Sequence, residues 1–312
     1  MATRLAFLFP GQGAQYVGMG KQLYETSPEA RKVFDEADHQ LGFALSKICF
    51  SGPEEVLTET ENAQVGIFVA SIAALRALNT IRPSLNPTVV CGLSLGEFSA
   101  LVACNSLQFE DGVQLVKKRG VLMSVASKEQ PGTMASILGL SLVDCEMICK
   151  ESGAELANIN APGQIVISGT KDAVQKGCEL GQKKGGKTIP LKVSGAFHSN
   201  LMQSAQKGLM EALQRIEIKT PKTLFIPNVI GEPVHDPSEI KTLLGKQVTQ
   251  SVQWVKTMET LKGMNVKHSF EIGPGKVLKG LAKRNEVNFQ VASIETENDI
   301  QQAIKTTEEK VC

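Results

Sequence analysis

A chain of 312 residues is long enough to bury a full core, as one domain or as a large domain with a smaller companion. With 42% hydrophobic and 21% charged residues it has the balance of an ordinary folded enzyme, and a net charge of +1 gives no global pull toward a polyanion. Only 5% of the residues are aromatic, too few to build a stacking platform for single-stranded nucleic acid, so that class is set aside.

The first apolar run, residues 5–9, ends at Pro10-Gly11-Gln12-Gly13 and reads as a buried strand entering a turn. It is too short for the core of a signal peptide. No stretch reads as the ~20 apolar residues that cross a bilayer. The expectation is a cytoplasmic protein with no membrane partner. Helical patterns follow through Val33 and Phe34 and over 63–78, where Val65, Phe68, Val69, Ile72 and Leu75 recur at helical spacing. Residues 88–91 form a β-branched strand, and Gly92-Leu93-Ser94-Leu95-Gly96 turns straight into another helix, followed by one over 110–127.

From Pro131-Gly132 the texture changes. Strands at 133–138, 156–160, 164–168 and 187–193 alternate with helices at 142–151 and 172–183, giving a β-α-β-β-α-β order. That order is the split pattern of a ferredoxin-like unit. The expected architecture is therefore α/β: a large α/β-hydrolase-like subdomain with a parallel sheet, residues 1–127 and 198–312, carrying an inserted ferredoxin-like subdomain at 128–197. Beyond His198 the pattern gives strands at 223–226, 268–272 and 289–294, helices before Gln247 and after Trp254, and a polar end at 295–312 as a surface helix or tail.

The seven cysteines, at 49, 91, 104, 145, 149, 178 and 312, contain no CxxC pair. Cys145 and Cys149, one helical turn apart, make at most a two-ligand site without zinc-spaced histidines, so reduced thiols and no metal are expected.

Chemistry enters at Gly92-Leu93-Ser94-Leu95-Gly96. A serine between glycines at a strand-to-helix turn is a nucleophile elbow, and the next amide, that of Leu95, faces a developing oxyanion near a helix N-terminus. The hydroxyl needs a base. Of the histidines, His39 and His235 lie in polar, turn-like surroundings and His268 in an apolar strand. His198, in a loop between a strand and a helix, is placed to project into a cleft; residue order favours it without deciding the matter.

Seven segments then occur in a characteristic order. They are Phe9-Pro-Gly-Gln-Gly-Ala-Gln15, Gly92-Leu-Ser-Leu-Gly-Glu97, Arg119-Gly-Val-Leu-Met123, the run opening at Asn160-Ala-Pro-Gly-Gln164, Phe197-His198-Ser199, Gln247 with Val252-Gln-Trp254, and Glu271-Ile-Gly-Pro-Gly275. Over residues 5–294 the chain resembles the malonyl-CoA:acyl carrier protein transacylases. The resemblance implies a ping-pong acyl transfer with Ser94 as the acyl-carrying nucleophile and His198 as base and then acid, held by the backbone carbonyl of Gln247. It further implies oxyanion amides from Gln12 and Leu95, and Arg119 on the malonyl carboxylate. Phe197 and Asn160 belong to matching substrate-binding segments. No cofactor is implied; the substrates are a coenzyme A thioester and the phosphopantetheine thiol of an acyl carrier protein. A chain without attached synthase domains favours fatty acid biosynthesis over polyketide assembly as the expected pathway.

A guanidinium suits the carboxylate because it offers two parallel donors and keeps its charge when partly buried. Beside Lys117 and Lys118, Arg119 read by itself is a solvated helix charge, and only the resemblance gives it the carboxylate. Two departures from the family pattern, Leu93 in place of its histidine and Ala196 in place of a common proline, fall where no chemical role is assigned. Basic runs at Lys183, Lys184, Lys187 and Lys192, and at Lys276, Lys279, Lys283 and Arg284, are docking candidates for an acidic carrier.

Three rivals stand beside this reading. A serine esterase or thioesterase would use the same elbow with Asp236 and His268 behind it. A nucleotide-binding loop at Gly11-Gln-Gly13 lacks its third glycine, position 16 being Tyr16. A catalytically dead carrier-docking scaffold is disfavoured by the presence of Ser94, His198 and Arg119.

Overall fold

The computed structural model describes residues 4–308. Strands β1 (Leu5–Phe9), β2 (Val89–Gly92), β7 (Leu224–Ile226), β8 (His268–Ile272) and β9 (Gln290–Ile294) form one sheet in the order β7-β2-β1-β8-β9, with every pairing parallel. Its central strands β2, β1 and β8 are buried at every position because both faces are covered. Strands β1 and β2 are apolar throughout, while β8 carries the buried polar residues His268, Ser269 and Glu271. Leu5, Phe7 and Phe9 point into the larger core, while Ala6 and Leu8 point into a second cluster around Trp254 and Met258.

The larger core is built around the helix Thr60–Ile81, packed against Pro28–Leu41 and Phe109–Glu129. Contrary to the sequence expectation, this helix is long and apolar enough to cross a bilayer, with mean hydropathy 1.5. Burial explains it: 78% of that stretch is enclosed by the protein, and a core helix is apolar on all sides.

The second sheet comprises β3 (Thr133–Leu138), β4 (Glu155–Ala161), β5 (Gln164–Gly169) and β6 (Lys187–Pro190), in the antiparallel order β4-β5-β3-β6. With helices Leu142–Ser152 and Lys171–Lys183 it has ferredoxin-like topology. Ala135, Ile137, Ile165 and Ile167 face those helices, whereas Met134 and Val166 join the larger core. Cys145 and Cys149 are buried on the helix Leu142–Ser152 as part of that packing.

The last strand of this sheet is shorter than expected. It stops at Pro190, which has no N–H to donate, and it is an edge strand pairing only with β3. The freed residues Leu191 to Val193 line a cleft instead. Short helices Leu45–Ser51 and Glu54–Thr58 and the helix Val277–Arg284 were not legible as separate elements. The polar end forms a helix over Glu297–Glu308; Cys312 lies outside the described residues.

Two glycines set how closely the elbow packs. A Cβ on Gly92 would fall 2.0 Å from the carbonyl carbon of Gly96, and one on Gly96 would fall 2.1 Å from the Phe9 carbonyl oxygen. Both neighbours are backbone and cannot swing away. Gly96→Ala is therefore expected to destabilise the fold by about 3 kcal/mol or more, read by urea unfolding.

Candidate active site

The parallel strands point their C-terminal ends at one rim, where ligands bind in open α/β sheets. At the end of β2 the chain turns through Leu93, Ser94 and Leu95 into the helix Gly96–Ala103. Ser94 holds φ = 51°, the left-handed region that L residues other than asparagine and aspartate rarely occupy. This strained turn lifts the hydroxyl clear of the sheet.

His198 reaches that hydroxyl: its Nε2 lies 2.9 Å from Ser94 Oγ. Its Nδ1 lies 2.7 Å from the Gln247 carbonyl oxygen, which only accepts, so Nδ1 carries the proton and Nε2 is free to accept from the serine. His198 also has positive φ, 57°, and its amide donates to the Val248 carbonyl at 3.1 Å. Ring and backbone are thus fixed on the same neighbouring segment. Burial, reinforced by the positive charge of Arg119, pushes the imidazole down to about 4. At neutral pH it is an uncharged imidazole with Nε2 free to act as the base.

Arg119 is not a solvated helix charge. It is 1% exposed, with its guanidinium 5.7 Å from the Phe98 ring centre. Nη1 donates to Gln64 Oε1 at 2.6 Å; Nη2 donates to Gln247 Oε1 at 2.9 Å and to Ser94 Oγ at 3.0 Å. Nε has no acceptor among the described residues. Burial lowers its pKa to about 10, opposed by the nearby Glu97, so it stays charged at neutral pH.

Ser94 and His198 open onto a cleft of about 780 Å³ between the two sheets, which Gln12, Phe197 and Asn160 also line. Arg119, Leu95 and Gln247 sit beneath its floor. The amides of Gln12 and Leu95 have no acceptor among the described residues, which suits them to an incoming oxyanion. Asn160 falls at an irregularity of β4, between Ile159 and Ala161, of the kind that re-aims a side chain. Its Oδ1 is unpartnered among the described residues and its carbonyl accepts from Asn285 Nδ2 at 2.8 Å.

The rival esterase residues are not brought together. His268 pairs with Leu5 at the start of its strand, whereas Ser94 follows Gly92, which pairs with Phe9. Four residues along parallel strands separate the two by roughly 13 Å. Asp236 is exposed and caps the helix Pro237–Gln247, accepting from the Glu239 amide at 2.8 Å. His39 and His235 are exposed.

Two buried residues of the site were not picked out in the sequence. Gln64 stands in an otherwise apolar helix, and a fully buried amide there was the signal available. Asn228, just beyond β7, binds the Ser94 amide through Oδ1 at 2.6 Å and carried no visible sequence mark.

A serine whose base is oriented by a backbone carbonyl, with no carboxylate behind it among the described residues and a buried cation touching the nucleophile, fits an acyl-transferring class rather than a triad hydrolase. Comparison with known proteins agrees: residues 6–272 match the acyl transferase domain family. The malonyl CoA-acyl carrier protein transacylase of Bacillus subtilis is 41% identical over 314 aligned residues, covering 99% of this chain and 98% of that protein. The crystal structure of the malonyl CoA-acyl carrier protein transacylase from Clostridium perfringens superposes with a TM-score of 0.94 at 37% identity, covering 98% of each chain. A type II polyketide acyl carrier protein has been solved with its malonyl-transacylase, to which this chain is 34% identical with a TM-score of 0.94, covering 97% of this chain and all of that one. The chain belongs to the acyl transferase family, among the malonyl CoA-acyl carrier protein transacylases.

Proposed function

We infer that this protein transfers the malonyl group of malonyl-CoA to the phosphopantetheine thiol of an acyl carrier protein, supplying fatty acid biosynthesis in the cytoplasm. The observation that carries the malonyl assignment is the placement of Arg119 Nη2 3.0 Å from Ser94 Oγ. A malonyl carboxylate lies only two carbon–carbon bonds beyond the carbonyl under attack, so a cation recognising it belongs beside the nucleophile. Arg119 Nε, without an acceptor among the described residues, gives that carboxylate a second donor on the same guanidinium.

In the reaction as proposed, Ser94 Oγ attacks the thioester carbonyl while His198 Nε2 takes its proton. The amides of Gln12 and Leu95 receive the oxyanion, and the coenzyme A sulfur leaves with the proton from His198. The carrier thiol then enters the same cleft, gives its proton to His198 and takes the acyl group, restoring the serine hydroxyl. No step calls on a cofactor. We take residues 128–197 as the smaller unit that supplies one wall of the cleft, with Phe197 and Asn160 contacting the substrate.

The two basic runs differ in position. Val277 and Leu281 line the cleft, so the exposed Lys276 and Arg284 of the same segment flank that face, while the exposed Lys279 and Lys283 lie on the opposite side of the helix. In the other run only Lys192 reaches the cleft, and Lys184 is paired with Asp144 at 3.0 Å. The first group is the better docking surface for an acidic carrier, with Lys192 across the opening.

Intact-protein mass spectrometry tests the whole reading. Incubation with malonyl-CoA is expected to add one malonyl group, absent in Ser94→Ala, that discharges onto added carrier protein faster than into water. Discharge as free malonate alone would mean a hydrolase; no adduct on the wild-type protein would remove Ser94 as the acyl carrier.

A further inference from the structure

Ser94 keeps a left-handed backbone that a serine does not choose, and something must hold it there. Asn228 lies two residues past β7, the parallel neighbour of β2, where Ile226 pairs with Cys91. Its side-chain amide continues that ladder where the strands have ended. Oδ1 accepts from the Ser94 amide at 2.6 Å and Nδ2 donates to the Gly92 carbonyl at 2.6 Å, so one planar group grips the elbow on both sides of Leu93.

Asn228 is itself fixed. It is fully buried, its carbonyl accepts from the Gln253 amide at 2.8 Å, and its own amide donates to the carboxylate of Glu97 on the first turn of the helix that follows the elbow. Glu97 is also fully buried, and burial raises its carboxyl to about 8 against the lowering effect of the Asn228 hydrogen bond and of Arg119. The same contact has a second effect. Because Asn228 occupies the Ser94 amide, the donors left for an oxyanion at the elbow are those of Leu95 and Gln12.

We propose that Asn228, anchored by Glu97, is the positioning residue of the nucleophile: it sets the Ser94 backbone, and through it the direction of the hydroxyl, without touching substrate. The inference rests on Ser94 being the acyl carrier, and the wild-type control separates the two ideas.

The test is rapid-quench mass spectrometry of Ser94 acylation by malonyl-CoA. If wild type forms no adduct, the acyl-carrier reading fails and the positioning role fails with it. If wild type is acylated, Asn228→Ala that is folded by circular dichroism is expected to acylate about 10²-fold more slowly, with KM changed by less than about threefold, because misplacement by ~1 Å acts on the transition state rather than on binding. Acylation within about threefold of wild type, or a loss carried mainly in KM, would overturn the proposal.

Asn228→Asp decides the matter even if the alanine variant does not fold. The aspartate keeps an acceptor for the Ser94 amide but sets a second acceptor against the Gly92 carbonyl until it takes up a proton and becomes a donor. The titratable groups around it are Glu97 at its main-chain amide, whose carboxyl takes up a proton at about 8, and, across Ser94, Arg119, charged throughout this range, and His198, uncharged throughout it. Dividing by the wild-type rate removes what these groups do in both proteins. The ratio of its acylation rate to that of wild type is expected to rise about tenfold or more as pH falls from about 8 to about 5.5. A ratio flat across that range would show that the grip on Gly92 does not govern the serine.

Discussion

Replacing Arg119 with alanine is expected to lower kcat/KM for malonyl-CoA by about 10³-fold while leaving acetyl-CoA within about tenfold of its starting value. The argument is one of desolvation. The guanidinium is held in a buried pocket at the cost of removing its charge from water, with three of its contacts supplied by Gln64, Gln247 and Ser94 and its Nε left without an acceptor among the described residues. A malonyl carboxylate completes that set, whereas an acetyl methyl leaves it as it was, and an unmet buried charge is what makes such a site selective. Removing Arg119 also leaves the Oε1 atoms of Gln64 and Gln247 unpaired, at about 1–3 kcal/mol each, so some loss of stability is expected. The ratio of malonyl to acetyl turnover within the variant cancels any loss of folded protein. If the two substrates fell together, the role of Arg119 would be structural and the carboxylate would be held elsewhere.

The second large effect is expected at His198. His198→Ala should slow Ser94 acylation by about 10³-fold, since the serine loses the base that contacts its hydroxyl. The pH profile carries the sharper test. With the imidazole pushed down to about 4, the protonated and inactive form is scarce above pH 5, so acylation should stay level from pH 8 down to about 5. An unperturbed histidine would instead begin to lose activity below about 6.5. An acid limb centred at 6.5 in single-turnover acylation would show that the buried, Arg119-facing environment does not persist in the working enzyme.

Much of this was legible in the sequence because it is local. The elbow is five consecutive residues whose glycines have steric reasons to be there, and the ferredoxin-like unit follows from the order of its strands and helices. His198 stood out by residue order and more firmly through the family resemblance. Arg119 shows where local reading stops. Beside two lysines it has the look of a surface charge, and only the packing of the helices Thr60–Ile81 and Phe109–Glu129 turns it inward onto Gln64. Asn228 is further from reach, since it meets Ser94 across 134 residues and only because β7 happens to flank β2. Gln247 illustrates both limits: its carbonyl role came with the resemblance, but its side chain also donates to the Ser94 carbonyl at 2.8 Å while accepting from Arg119.

The stretch from Gln247 to Gln253 touches three parts of the molecule in seven residues. Gln247 and Val248 hold His198, Val252 pairs with the edge of β4 through hydrogen bonds to Ala157 and Ile159 of 2.8 and 2.9 Å, and Gln253 donates to Asn228. Prising the two sheets apart like jaws would therefore tear a main-chain ladder and drag the carbonyl that steers the imidazole. The segment that steers the imidazole is thereby tied by main-chain hydrogen bonds to both sides of the cleft, so any change in the width of the opening is felt at the base.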